Sequence, residues 1–68
     1  MANWGNVFQS PLEFRAHIVR DVLETRGIPA MLLNKKMSPY QLGHVEVHVP
    51  TERVMEAIHI INQEISFE

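Results

Sequence analysis

His44-Val45-Glu46-Val47-His48-Val49 alternates polar and apolar side chains without a break, and this period of two decides the fold class. Successive side chains of a strand point to opposite faces, so Val45, Val47 and Val49 line one face while His44, Glu46 and His48 line the other. Such a strand is half-buried: its valine face needs a cover and its polar face does not. The cover has to come from the segments on either side.

Downstream, Pro50-Thr51-Glu52 opens an amphipathic helix. Its Val54, Ala57, Ile58, Ile61 and Ile65 share a stripe, and Arg53, Glu56, His59 and Gln63 avoid it. Ile65 to Glu68 is then a short last strand that either pairs with the first strand or frays, and a partner chain could complete such an edge.

Upstream, a loop of about nine residues runs from Lys35 to Gly43, with Tyr40 near its middle. Before it, Ala30-Met31-Leu32-Leu33 is an apolar run too short for a helix and right for a strand. Further back, Ser10-Pro11-Leu12-Glu13 combines an N-cap serine, proline at the first helical position and glutamate three residues after the cap, which predicts a helix from Pro11. Leu12, Ala16, Val19 and Leu23 form its stripe, widened by Ile18 and Val22, while Glu13, His17, Arg20, Asp21 and Glu24 take the wet side. Gly27 supplies the left-handed cap, Ile28 packs back on Leu23 and Pro29 forbids continuation. Asn6 to Gln9 reads as the first strand.

The resulting order is that of a ferredoxin-like α+β domain, β-α-β-β-α-β, with the last strand short or frayed. Right-handed crossovers place both helices on one face of an antiparallel sheet and leave the other face open. Residues 1–68 form a single domain without repeat, linker or low-complexity segment.

Composition narrows the function classes. A chain of 68 residues buries only about 60% of the surface its unfolded form exposes, so a thin core makes a homodimer the default expectation. Without cysteine there are no disulfides, thiolate nucleophiles or cysteine-based metal sites. The first residues lack a signal-peptide pattern and no stretch is long and apolar enough to cross a membrane, so the expected location is the cytoplasm. A formal net charge of −2 argues against nucleic acid as a partner, and no membrane partner is expected either.

The stretches Leu23-Glu24-Thr25-Arg26-Gly27-Ile28-Pro29-Ala30, Leu33-Asn34-Lys35-Lys36 and Val45-Glu46-Val47-His48-Val49-Pro50 carry a resemblance. The chain resembles a small family of bacterial domains of unknown function described as putative prokaryotic signal-transducing proteins, from Trp4 to the second helix. The resemblance implies a ferredoxin-like fold grouped near the nitrogen-regulatory PII proteins, which is where the signalling description comes from, and that is an analogy of folds. PII-type proteins bind ATP between subunits and signal through a long loop joining the second and third strands. Here that loop is short and no PII nucleotide-binding motif is present, so no cofactor is carried over.

Four groups of residues remain as candidates. His44, Glu46 and His48 share one strand face and are weak metal-ligand candidates, three convergent ligands being the minimum for such a site. Trp4 and Phe8 share that open face if Val7 points into the core. Aromatics on a sheet face stack bases in RNA-recognition domains, but the acidic balance turns the reading toward a surface for a protein partner or a second copy, built from Trp4, Phe8, His44, Glu46 and His48. Lys35, Lys36 and Tyr40 mark the loop, with anion contact or a solvated turn as readings of the lysine pair. Phe14 lies away from its helix stripe as a lone apolar residue or a contact.

No catalytic residue is expected. Ser10, Ser38, Thr51 and Ser66 fall at caps and turns without a histidine in a recognisable motif, and the helix carboxylates have no reason to shift their pKa. The function expected is a non-enzymatic regulatory or interaction module that binds a protein partner, or a small ligand at a dimer interface, with a metal-binding module as the alternative.

Overall fold

The computed structural model describes residues 3–36 and 43–67. β1 spans Trp4–Ser10, α1 Glu13–Thr25, β2 Met31–Asn34 and β3 Val45–Pro50; a 3-10 turn over Thr51–Arg53 leads into α2, Val54–Glu64. β3 lies at the centre of a three-stranded sheet of order β1-β3-β2, antiparallel to both neighbours.

The alternating stretch does what its period dictates. Val45, Val47 and Val49 are 1% exposed or less and pack with Ala16, Val19 and Leu23 of α1, Ile28, and Ala57 and Ile60 of α2. Burying a valine side chain fully is worth about 1.5–3 kcal/mol, so this row is the main anchor of helices to sheet. Both helices therefore sit on the valine face. Gly5 of β1, opposite Val49, allows α2 to come close: a Cβ there would stand 3.0 Å from Val54 Cγ2.

α1 ends as expected. Gly27 takes φ +83°, its N–H donates to the Glu24 carbonyl at 3.0 Å, and the Ile28 N–H donates to the Leu23 carbonyl at 2.9 Å. This is the Schellman pattern with its apolar contact, since Ile28 and Leu23 are both fully buried.

The start of α1 differs from expectation. The Ser10 hydroxyl accepts from the Leu12 N–H at 3.0 Å, two residues on rather than three, which holds Pro11 and Leu12 in a bend. Leu12 is extended (φ −98°, ψ 108°) and the helix begins at Glu13. Leu12 therefore leaves the stripe and is 44% exposed, and Ile18 on the stripe's margin is 43% exposed. In α2 the buried positions are Ala57 and Ile60, with Val54, Ile61 and Ile65 partly covered and Ile58 left 38% exposed. Neighbouring isoleucines at 58, 60 and 61 let this helix roll by a residue, and seating Val54 over Gly5 selects the roll that buries Ile60.

The last strand is not formed among the described residues. Ile65 is extended (φ −120°, ψ 129°), but residues 65–67 pair with no strand. Phe67 turns inward instead, its ring centroid 5.8 Å from that of Phe8 and 4.9 Å from the Arg15 guanidinium carbon. The tail is spent on closing the core between β1 and α1, so the order present is β-α-β-β-α. Among the described residues, no helix is long and apolar enough to cross a membrane.

Candidate functional site

The face of the sheet turned away from the helices is the candidate site, and its residues follow from register. In β3 and the residue just before it, this face presents His44, Glu46 and His48. In β2, Met31 stands opposite His48 and Leu33 opposite Glu46. In β1, Trp4 stands opposite Pro50, Asn6 opposite His48 and Gln9 opposite Glu46.

β1 reaches this arrangement through a bulge. Asn6 pairs with His48 but Phe8 with Val47, so Val7 is an extra residue. The Asn6 carboxamide fixes the irregularity: its Oδ1 accepts from the Phe8 N–H at 3.1 Å and its Nδ2 donates to Gln9 Oε1 at 3.1 Å. Side chains flanking a bulge fall on the same side, so Val7 and Phe8 both pack against the core. The expectation that Phe8 lies on the open face with the histidines is thereby corrected. Strict alternation cannot hold across an inserted residue, and Phe8 belongs to the aromatic pair with Phe67. Trp4, before the bulge, keeps its expected face and is 39% exposed.

At the centre lies a short chain of hydrogen bonds. His44 Nε2 is 2.7 Å from Glu46 Oε2, and His48 Nε2 is 2.7 Å from Glu46 Oε1. An ionised carboxylate only accepts, so each imidazole donates through Nε2 and one carboxylate is shared by two rings. The His48 and Glu46 side chains are 15% and 16% exposed, and His44 is 34% exposed. The hydrogen bond from His48, then that from His44, holds the Glu46 carboxyl below its ordinary value of 4.5; the Lys35 charge adds to this and partial burial opposes it.

This geometry does not support the metal reading. The two Nε2 atoms face opposite oxygens of the carboxylate rather than a common point, and the carboxylate occupies the space between the rings. Among the described residues no group of three or more histidine, aspartate and glutamate side chains is placed to hold a metal ion. His17 sits on α1 beside Glu13, at 3.3 Å, and His59 on the exposed side of α2, both apart from the strand histidines.

Next to His44 the loop is tied at its base. The Lys35 N–H donates to the His44 carbonyl at 2.8 Å, and the Asn34 Oδ1 accepts from the Lys36 N–H at 2.9 Å. Gly43 is required there: its φ is +106°, and a Cβ would stand 2.5 Å from the Lys35 carbonyl oxygen. Tyr40, the remaining loop candidate, lies outside the described residues. Met31 and Leu33 belong to the open face but were not among the sequence-derived candidates, although a period-two reading of Met31-Leu32-Leu33 with Leu32 inward would have placed them there.

A family model described as "Putative prokaryotic signal transducing protein" matches residues 4–65, and the chain belongs to that family. Comparison with curated proteins and with solved structures gave no match.

Proposed function

We propose, with that membership as the premise, that this domain is a non-enzymatic interaction module in signal transduction which docks a protein partner on the open face of its sheet. A small ligand held at a dimer interface is the second form of the same role. The observation that carries the reading is the uncovered face itself: a polar centre of Glu46 between two histidines, fixed by short hydrogen bonds, with Met31 and Trp4 exposed around it. A fixed polar group inside an apolar rim is what a specific protein contact needs, since the rim supplies area and the centre sets orientation.

Two further observations support it. The Ser10 hydroxyl accepts from the Leu12 N–H and the Thr25 hydroxyl donates to the Asp21 carbonyl, and neither is hydrogen-bonded to a side chain that would act as a base. The order β-α-β-β-α with sheet order β1-β3-β2 agrees with a ferredoxin-like fold short of its last strand, which is the fold of the PII-like grouping. The role is read as cytoplasmic and bacterial, without nucleic acid or membrane as partner, in keeping with a net charge of −2.

The test is capture of partners by the immobilised domain, compared with a double variant Trp4→Ala, Met31→Glu whose circular dichroism matches the parent. Loss of a partner on the double variant but not on Phe14→Ala, which alters the helix side, is the expected result. A partner kept by the face variant and lost on Phe14→Ala would move the docking surface to the helices.

A further inference from the structure

The two edges of the sheet are not alike. β2 is four residues long and stands between Pro29 and the pair Lys35-Lys36. Short length, proline and lysine are the ordinary means by which a sheet edge is kept from pairing with another chain. β1, Trp4-Gly5-Asn6-Val7-Phe8-Gln9-Ser10, is seven residues without charge or proline, and its one interruption, the bulge at Val7, leaves Trp4 to Asn6 as the straight part of the edge.

Among the described residues no strand pairs with the outer side of β1. The Asn3 carbonyl accepts from the Thr51 N–H at 2.8 Å, so it faces β3. Backbone groups alternate along a strand, which turns those of Gly5 toward β3 and those of Trp4 and Asn6 outward. Among the described residues the tail makes no backbone hydrogen bond to β1; Phe67 meets it at the Phe8 ring.

α2 continues this edge. It packs over β1 and β3, and its Glu64 pairs with Arg26 at the C-terminal end of α1. Ile58 lies about 120° around the helix from Glu64 at 100° per residue, on the flank away from α1. It is 38% exposed there, and Met55 beside it is 80% exposed.

We infer that the outer edge of β1 and the Ile58 flank of α2 form one seam for a second copy of this chain, with the two β1 strands pairing antiparallel across a two-fold axis. A two-fold contact sets the same patch against itself. Here the uncharged strand meets its like without repulsion and Ile58 meets Ile58. The same operation on the β2 edge would press two lysine pairs together. The product is one continuous sheet made of two three-stranded halves, with both open faces on the same side. This deepens the dimer-interface form of the proposed function and is independent of whether the open face docks a protein.

The test measures sedimentation and amide hydrogen exchange of the whole chain between about 10 µM and about 1 mM, where mass action separates monomer from dimer. The expected result is a dimer whose Trp4 and Asn6 amides gain protection with concentration while the rates of amides within α1 do not change. Trp4→Pro removes one outward N–H at the first residue of the strand, a place where proline is tolerated, and Ile58→Asp charges the flank. Each is expected to raise the dissociation constant about tenfold or more. If Trp4→Pro fails to fold, Ile58→Asp and the exchange of the unmodified chain still decide.

A monomer over the whole range overturns the seam, as does a dimer whose Trp4 and Asn6 amides exchange at the same rate at both ends. Protection of those amides only on adding a foreign protein gives the edge to that protein's strand, and also overturns it. A failed partner capture on the face variant leaves these readouts untouched.

Discussion

β3 carries two faces on one backbone, and they are held in place by different forces. The valine face is sealed by α1 and α2 and stabilised by burial, which is indifferent to proton concentration. The polar face is held by two short hydrogen bonds on one carboxylate, which depend on charge and geometry. The first face fixes the fold; the second is left uncovered by the helices. The difference also sets what residue order alone can show, because burial follows from periodicity and recognition does not.

The largest effect is expected on the sealed face. Val47→Ala removes a fully buried side chain, and the lost transfer energy plus the cavity amount to about 2–3 kcal/mol, read as a lower urea midpoint with an unchanged slope. A loss no larger than that of an exposed residue would mean that the helices do not seal this face.

Asn6→Ala acts at the joint between the faces. It leaves the Phe8 N–H without its side-chain acceptor, at about 0.5–1.5 kcal/mol, and the Phe8 amide should exchange faster. Unchanged exchange at Phe8 would show that the backbone alone maintains the bulge.

On the polar face, Glu46→Gln should lower the melting temperature less than Val47→Ala does, and only above acid pH. The Glu46 pKa is depressed in the folded state, so its stabilisation is present above the ordinary value of 4.5 and is lost as pH falls through the lower folded value. Parent and variant should therefore converge below that value, as thermal melts across the acid range will test; a gap that persists in strong acid would assign the effect to packing.

His17→Ala is the smallest change, within about 0.5 kcal/mol, because its contact with Glu13 is an exposed pair on a helix. A larger loss would show that the His17–Glu13 pair holds the first turn of α1 more tightly than an exposed pair does.

Most of the architecture was legible in the residues. The Val45 to Val49 alternation, the Gly27-Ile28-Pro29 stop and the two amphipathic stripes define the α+β class and the covered face. What was not legible depended on single hydrogen bonds and on the phase of a helix. Ser10 accepts from Leu12 rather than capping a turn that starts at Pro11; Ile60 rather than Ile58 enters the core because Val54 seats over Gly5. Phe67 closes the core instead of extending the sheet because its ring finds Phe8 and Arg15. For the site, spacing correctly put His44, Glu46 and His48 on one face but could not show that the rings turn toward the carboxylate between them rather than toward a shared point. Phe8 was misplaced for a similar reason, since a bulge is invisible to periodicity.

That bulge has a consequence for how the gene can change. β1 contains one residue more than its partner, so losing the codon for either Val7 or Phe8 would restore plain alternation and leave Trp4 and Asn6 on one side of the sheet, Gly5 and Ser10 on the other. A one-codon loss at Gly5 that left the bulge in place would instead reverse the side of Trp4. The first strand therefore has one place where its length can vary by a single residue without reassigning its faces, and natural length variation among relatives should fall there.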